Sequence, residues 1–205
     1  MLEQLAADPL LREKLRSKEG LEEGLVQFLR DHKALTHTYT INATTSTIYY
    51  IEGDENVPVK LVEGGVVSLL LEIFFLLDRD LSRKCLGALD RLCQCAQGRS
   101  MTYYNNLTVP LIIQKILALP DLEYEFAVSI FWTLCRYSNS PSLALDAHEQ
   151  NSLQKLLAML QLGCEHETKK RASQLLGLFN HYREYQYDWR WVSGHDGFLE
   201  TYVVF

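Results

Sequence analysis

The stretch Leu81-Ser-Arg-Lys-Cys-Leu-Gly-Ala-Leu-Asp-Arg-Leu-Cys-Gln-Cys-Ala-Gln-Gly-Arg99 decides the fold, because it returns downstream. Within it Cys85, Ala88, Leu89, Leu92 and Ala96 step by three and four, the spacing of one buried face on an α-helix. Gly98 reads as its stop signal. At an offset of 42 residues Cys85, Ala88, Leu89, Leu92 and Cys93 fall on Ala127, Ile130, Phe131, Leu134 and Cys135. The helix upstream keeps the same offset: Leu69, Leu70, Leu71 and Phe74 fall on Leu111, Ile112, Ile113 and Ile116. A looser third copy places Leu156, Leu157 and Leu160 on Ile112, Ile113 and Ile116, and Ala172, Leu175, Leu176 and Phe179 on Ala127, Ile130, Phe131 and Leu134.

A period of about 42 residues with two long helices per unit is the signature of an armadillo or HEAT solenoid. No unit of this kind buries its apolar helix alone, so neighbours must stack into a continuous core. The sequence therefore predicts an all-α, right-handed armadillo-like superhelix of about three repeats, with a partial repeat at the N-terminal side. Residues 59–184 form the repeat domain. Residues 1–33 read as short helices of the partial repeat, with Leu21, Leu25, Phe28 and Leu29 on one face. Residues 34–58, with Thr36, Thr38, Thr40, Thr44, Thr45 and Thr47 among Ile and Tyr, read as a loop or short strand. Residues 185–205 read as an aromatic-rich, extended segment, because Tyr185, Tyr187, Trp189 and Trp191 alternate with polar residues; it is either a cap over the last repeat or a loosely ordered tail.

Composition narrows the function. At 205 residues, 47% hydrophobic and 22% charged, the chain is a globular sequence and not a disordered one. A net charge of -6 argues against nucleic acid as the main partner, since phosphate binding needs a basic surface. The longest apolar run, Val66 to Leu77, is broken by Ser68 and Glu72 and falls short of the roughly 20 residues that span a bilayer. Five cysteines, an odd number at irregular spacing with no leader-like start, predict reduced thiols and a cytoplasmic location.

No catalytic motif is present. On one helix Cys93 and Cys95 point roughly 200° apart and cannot share a zinc ion. Cys164-Glu-His166 lacks a third group to orient the imidazole. The reading assigns no metal and no cofactor.

Several segments carry a family likeness. They are Lys60-Leu-Val-Glu-Gly-Gly-Val-Val-Ser-Leu-Leu70, Ala88-Leu-Asp-Arg-Leu-Cys-Gln-Cys-Ala-Gln-Gly-Arg99, Val109-Pro-Leu-Ile-Ile-Gln-Lys-Ile-Leu117 and Thr168-Lys-Lys-Arg-Ala-Ser-Gln-Leu-Leu176. Through them residues 59–180 resemble the C-terminal armadillo region of plant U-box ubiquitin ligases. The resemblance implies substrate proteins bound along the concave face, and a U-box that recruits a ubiquitin-conjugating enzyme. No Cys-Pro-Ile segment of the U-box kind occurs here, so ligase activity would need a U-box outside these residues. The alternative is a non-catalytic adaptor or competitor that pairs with full-length relatives.

In such solenoids the last helix of each unit lines the concave face. Its solvent-facing positions would form a ladder of Gly87, Asp90, Arg91 and Gln94, then Ser129, Trp132, Thr133 and Arg136, then Gln174, Gly177, Leu178 and His181. Trp132 beside Arg136 has the composition of a binding hot spot; the other reading of Trp132 is packing against the neighbouring repeat. Lys169, Lys170 and Arg171 read as a solvated helix start.

Overall fold

The computed structural model describes residues 20–32, 38–50, 56–74, 77, 79–112, 123–137, 143, 152–162 and 165–195. They form helices α1 (Leu21–His32), α2 (Thr38–Tyr50), α3 (Asn56–Glu63), α4 (Val66–Phe74), α5 (Arg79–Leu92), α6 (Ala96–Tyr103), α7 (Glu123–Tyr137), α8 (Ser152–Leu162) and α9 (His166–His195). Residues 108–112 are also helical, and no strand occurs among the described residues.

Four long helices make a row, α2 against α5, α5 against α7, and α7 against α9. The shorter helices α1, α3, α4, α6 and α8 pack onto this row and onto one another. The repeat period appears here as bonds. Lys84 Nζ donates to Asn42 Oδ1 at 2.6 Å, Arg171 Nη1 to Ser129 Oγ at 2.7 Å, and Trp132 Nε1 to Gln174 Oε1 at 2.6 Å. Each joins successive row helices across 42 residues of sequence.

The predicted apolar faces are the core. Cys85, Ala88, Leu89 and Leu92 of α5, Ala127, Ile130, Phe131 and Leu134 of α7, and Ala172, Leu175 and Phe179 of α9 are all buried in one continuous cluster. Leu92 is wholly buried, so Leu92→Ala is expected to cost about 2–5 kcal/mol of stability, read as a lower urea midpoint. Three predicted core positions lie outside it: Phe28, Ala96 and Leu157 are exposed. Ile113, Ile116 and residues 1–19 lie outside the described residues.

Three sequence expectations are corrected. Residues 38–50, read as loop or strand, are helix α2, and Ala43, Thr44, Thr45, Ser46 and Thr47 are buried in it. The hydroxyls satisfy themselves inside the helix: Thr45 Oγ1 donates to Ile41 O at 2.8 Å and Thr47 Oγ1 to Ala43 O at 2.7 Å. This back-bonding lets a threonine run be buried with no outside partner for those two groups.

Residues 81–99 are two helices and not one. The chain turns at 93–95, where Cys95 is the N-cap of α6 and its Sγ accepts from Gly98 N. Arg99 Nη1 donates to Cys93 O at 3.2 Å and Gln94 O at 2.8 Å, which satisfies carbonyls left open where α5 ends. Gly98 therefore sits inside α6 and stops nothing.

The aromatic segment from Tyr185 continues α9 to His195, and residues 196–205 lie outside the described residues. No proline interrupts His166–His195. The helix arrives there already nucleated by its packed first half, so each further residue adds a hydrogen bond at little extra cost.

Candidate protein-binding face

Only part of the ladder predicted to face solvent on the row helices is exposed. Arg136, Gln174 and His181 are exposed, and Asp90, Arg91, Trp132 and Leu178 are half-buried. Ser129 and Thr133, predicted to face solvent, are buried. So is Gly87, whereas Gly177 is exposed. Gln94 is exposed but lies beyond the end of α5, with its Nε2 donating to Asp90 O at 3.1 Å. The reason is the crowding of a row helix: α7 is contacted by α5, α9 and α6, so its open arc is narrow.

Trp132 is the centre of what remains. Two guanidinium groups lie over its ring, Arg136 at 5.0 Å and Arg171 at 5.2 Å from the centroid. Both distances suit cation–π attraction. The hydrogen bond to Gln174 fixes the indole's polar edge. Arg171, read from sequence as part of a solvated helix start, is half-buried in this group, and its Nε is 3.4 Å from Glu167 Oε1. Lys169 and Lys170 are exposed as expected.

Beside the tryptophan, polar groups of three row helices meet. Arg171 donates to Ser129, and Asp90 Oδ1 is buried with no hydrogen-bond partner among the described residues. Burial raises the Asp90 pKa above its ordinary value, while Ser129, Arg171 and Arg91 draw it partly back. A carboxyl raised in the folded state binds its proton there before the unfolded chain does. The stability it contributes is full below the ordinary aspartate value and is lost as pH rises through the raised one. Urea midpoints of Asp90→Asn are therefore expected to gain less than the parent's as pH falls from 7 to the ordinary aspartate value of 3.8. An unchanged pH slope would mean that Asp90 is solvated.

A second feature of the same row was missed by the sequence reading. Tyr49 of α2 and Phe126 of α7 meet edge to face at 5.6 Å across Gly87 of α5. A Cβ on Gly87 would lie 2.7 Å from the Tyr49 ring and 3.3 Å from Phe126. Beside them is a pocket of about 350 Å³ lined by Ser46, Tyr49, Tyr50, Asp80, Arg83, Lys84 and Phe126. The signal was present: subtracting 42 from the α5 residues Cys85, Ala88 and Leu92 gives Ala43, Ser46 and Tyr50. The threonines hid it.

Cys93 and Cys135 do not suit nucleophilic chemistry. Cys93 is buried with Sγ donating to Thr102 Oγ1 at 3.4 Å, and burial pushes its pKa up to about 12. Burial pushes Cys135 up to about 12 as well. Thiols this weakly acidic hold almost no thiolate at neutral pH. Cys164 lies outside the described residues. Among the described residues no group of three His, Cys, Asp or Glu could hold a metal ion, and no helix is long and apolar enough to cross a membrane.

Residues 1–187 match the family model described as the plant U-box protein ARM repeat region. The chain belongs to that family of plant armadillo-repeat sequences, and its row of long helices is the armadillo fold. It is 27% identical to U-box domain-containing protein 21 of Arabidopsis thaliana over 180 residues, which are 88% of this chain and 41% of that relative. It is 32% identical over 123 residues to E3 ubiquitin-protein ligase PUB22 of Arabidopsis thaliana, covering 58% of this chain and 28% of the relative. The chain thus spans less than half the length of these relatives. Among solved structures it is similar to a designed armadillo repeat protein in complex with the peptide (KR)4, with a TM-score of 0.47 and 18% identity over 87% of this chain and 90% of that one.

Proposed function

We propose that the open side of the long-helix row binds target proteins, and that the chain is the substrate-holding part of a U-box ubiquitin ligase system in the cytoplasm. The observation that carries this reading is Trp132, half-buried with Arg136 and Arg171 over its ring and oriented by Gln174. Tryptophan and arginine dominate binding hot spots, where a rigid ring excludes water around charged groups. Membership of the plant U-box armadillo family supports the ubiquitin context.

The mechanism is proximity. A target held on the row would place its lysine near a conjugating enzyme recruited by a U-box, which converts a bimolecular encounter into a local one. The armadillo residues then supply affinity and orientation, and the transfer chemistry belongs to the conjugating enzyme.

The test joins the chain to an active U-box and supplies ubiquitin, activating enzyme, conjugating enzyme and a plant extract. Target proteins should be modified by the fusion and not by the chain alone. Arg136→Ala, an exposed change with little effect on folding, should cut target modification by about tenfold while the fusion's self-modification stays unchanged. Equal target modification by parent and variant would remove the row from the account. Binding without any modification by the fusion would favour the adaptor reading.

A further inference from the structure

We propose that the pocket between α2 and α5 accepts an acidic side chain of a bound peptide segment, with an aromatic or large apolar neighbour resting on the Tyr49–Phe126 pair. The inference rests on the reading that the open side of the row binds protein, and it adds the chemistry of the partner.

Size sets the first limit. About 350 Å³ is at the small end of ligand sites, enough for one or two side chains and too small for a folded element. The pocket belongs to the row itself, since its lining comes from α2, α5 and α7. An extended segment crossing the row can therefore drop a side chain into it while its backbone stays outside.

Chemistry sets the second. The lining carries Arg83 and Lys84 against one carboxylate, Asp80, in a chain whose net charge is -6. Arg83 is exposed; burial and then Glu165 raise the Glu125 pKa, and Arg83 lowers it. Lys84 Nζ donates to Asn42 Oδ1 among its contacts. The same row presents Arg136 and Arg171 further along, so its cations run from α5 to α9. A carboxylate is the complementary group, and a planar guanidinium binds one through two parallel hydrogen bonds.

The rings set the third. Tyr49 is exposed at its edge and packs against both Tyr50 and Phe126. Gly87 has no side chain, and this is what lets the two outer rings close over α5. The result is a pre-formed apolar shelf beside the arginine. Such a shelf rewards a flat or branched apolar side chain next to the acidic one.

Selection of a displayed library of random twelve-residue peptides on the full chain tests the proposal. The selected peptides should be enriched in Asp or Glu adjacent to an aromatic or large apolar residue. A labelled synthetic copy should bind Arg83→Glu at least about tenfold more weakly, and Arg83→Lys should keep part of the affinity. Lys169→Glu makes the same charge change at an exposed site outside the pocket and should leave affinity within about twofold. Peptides without an acidic preference, or equal losses for Arg83→Glu and Lys169→Glu, overturn the pocket. So does a peptide that binds only when its acidic residue is replaced by phosphoserine. If Arg136→Ala weakens binding and Arg83→Glu does not, the pocket fails and the row survives. If neither variant changes affinity, the row reading fails with it.

Discussion

Replacing Gly98 by alanine is expected to lower stability by more than about 3 kcal/mol, among the largest effects a single added methyl can have. A Cβ at this position would lie 2.0 Å from Leu92 O and 2.7 Å from Leu92 C. Both are backbone atoms, and the Leu92 side chain is wholly buried, so the carbonyl cannot retreat without shifting the core. The link between α5 and α6 is also fixed by Arg99 on the Cys93 and Gln94 carbonyls and by Cys95 on Gly98 N. Helix propensity favours alanine over glycine here by about 1 kcal/mol, which the clash must overcome. For a chain of this size the loss corresponds to a fall in melting temperature on the order of 10 °C. Gly24→Ala is the matched control, because nothing lies within 4 Å of a Cβ there, and it should be neutral or slightly stabilising. A Gly98→Ala protein that melts with the parent would mean that the 93–95 turn relaxes freely.

Phe131→Ala is expected to cost about 3–5 kcal/mol. Phe131 is buried in α7, and its ring meets Phe179 of α9 edge to face at 5.6 Å. The change removes apolar burial and the contact that couples the last two row helices. In a solenoid, stability is a sum of unit and interface terms, so a weakened interface separates its neighbours. Urea unfolding followed by far-UV circular dichroism should become broader or biphasic, with α8 and α9 lost first. Phe179→Ala should act on the same interface, and the pair in a double-mutant cycle should couple by about 0.5–1.5 kcal/mol. Strict additivity would place the two rings in independent environments.

The solenoid was legible because apolar spacing and repeat offset agree. Ala88, Leu92, Ile130, Leu134, Ala172 and Leu175 were identified as core from spacing alone and are buried. The first row helix was illegible because Thr44, Thr45, Ser46 and Thr47 look unsuited to a buried helix until their internal hydroxyl bonds are seen. The break at 93–95 was hidden because its capping groups, a cysteine and an arginine, are not the usual signals.

The binding face was only partly legible for a different reason. A helical wheel sees one helix, whereas a row helix has neighbours on both flanks. Ser129 and Thr133 fall into those flanks, and Trp132 and Arg136 fall between them. Arg171 was misplaced because its role comes from a tryptophan on another helix. The Tyr49–Phe126 pocket depends on residues 77 positions apart that touch only once α2 is recognised as a helix.

Two exposed-site variants decide whether the long-helix row holds the partner. Arg136 stands on the long-helix row beside Trp132, and Tyr104, the C-cap of α6, is exposed on a helix outside the row. Both changes to alanine should leave the melting temperature close to the parent's. With a peptide selected on the full chain, the account predicts that Arg136→Ala raises Kd by about tenfold or more and that Tyr104→Ala leaves it within about twofold. A loss confined to Tyr104→Ala would contradict it and move the partner off the row.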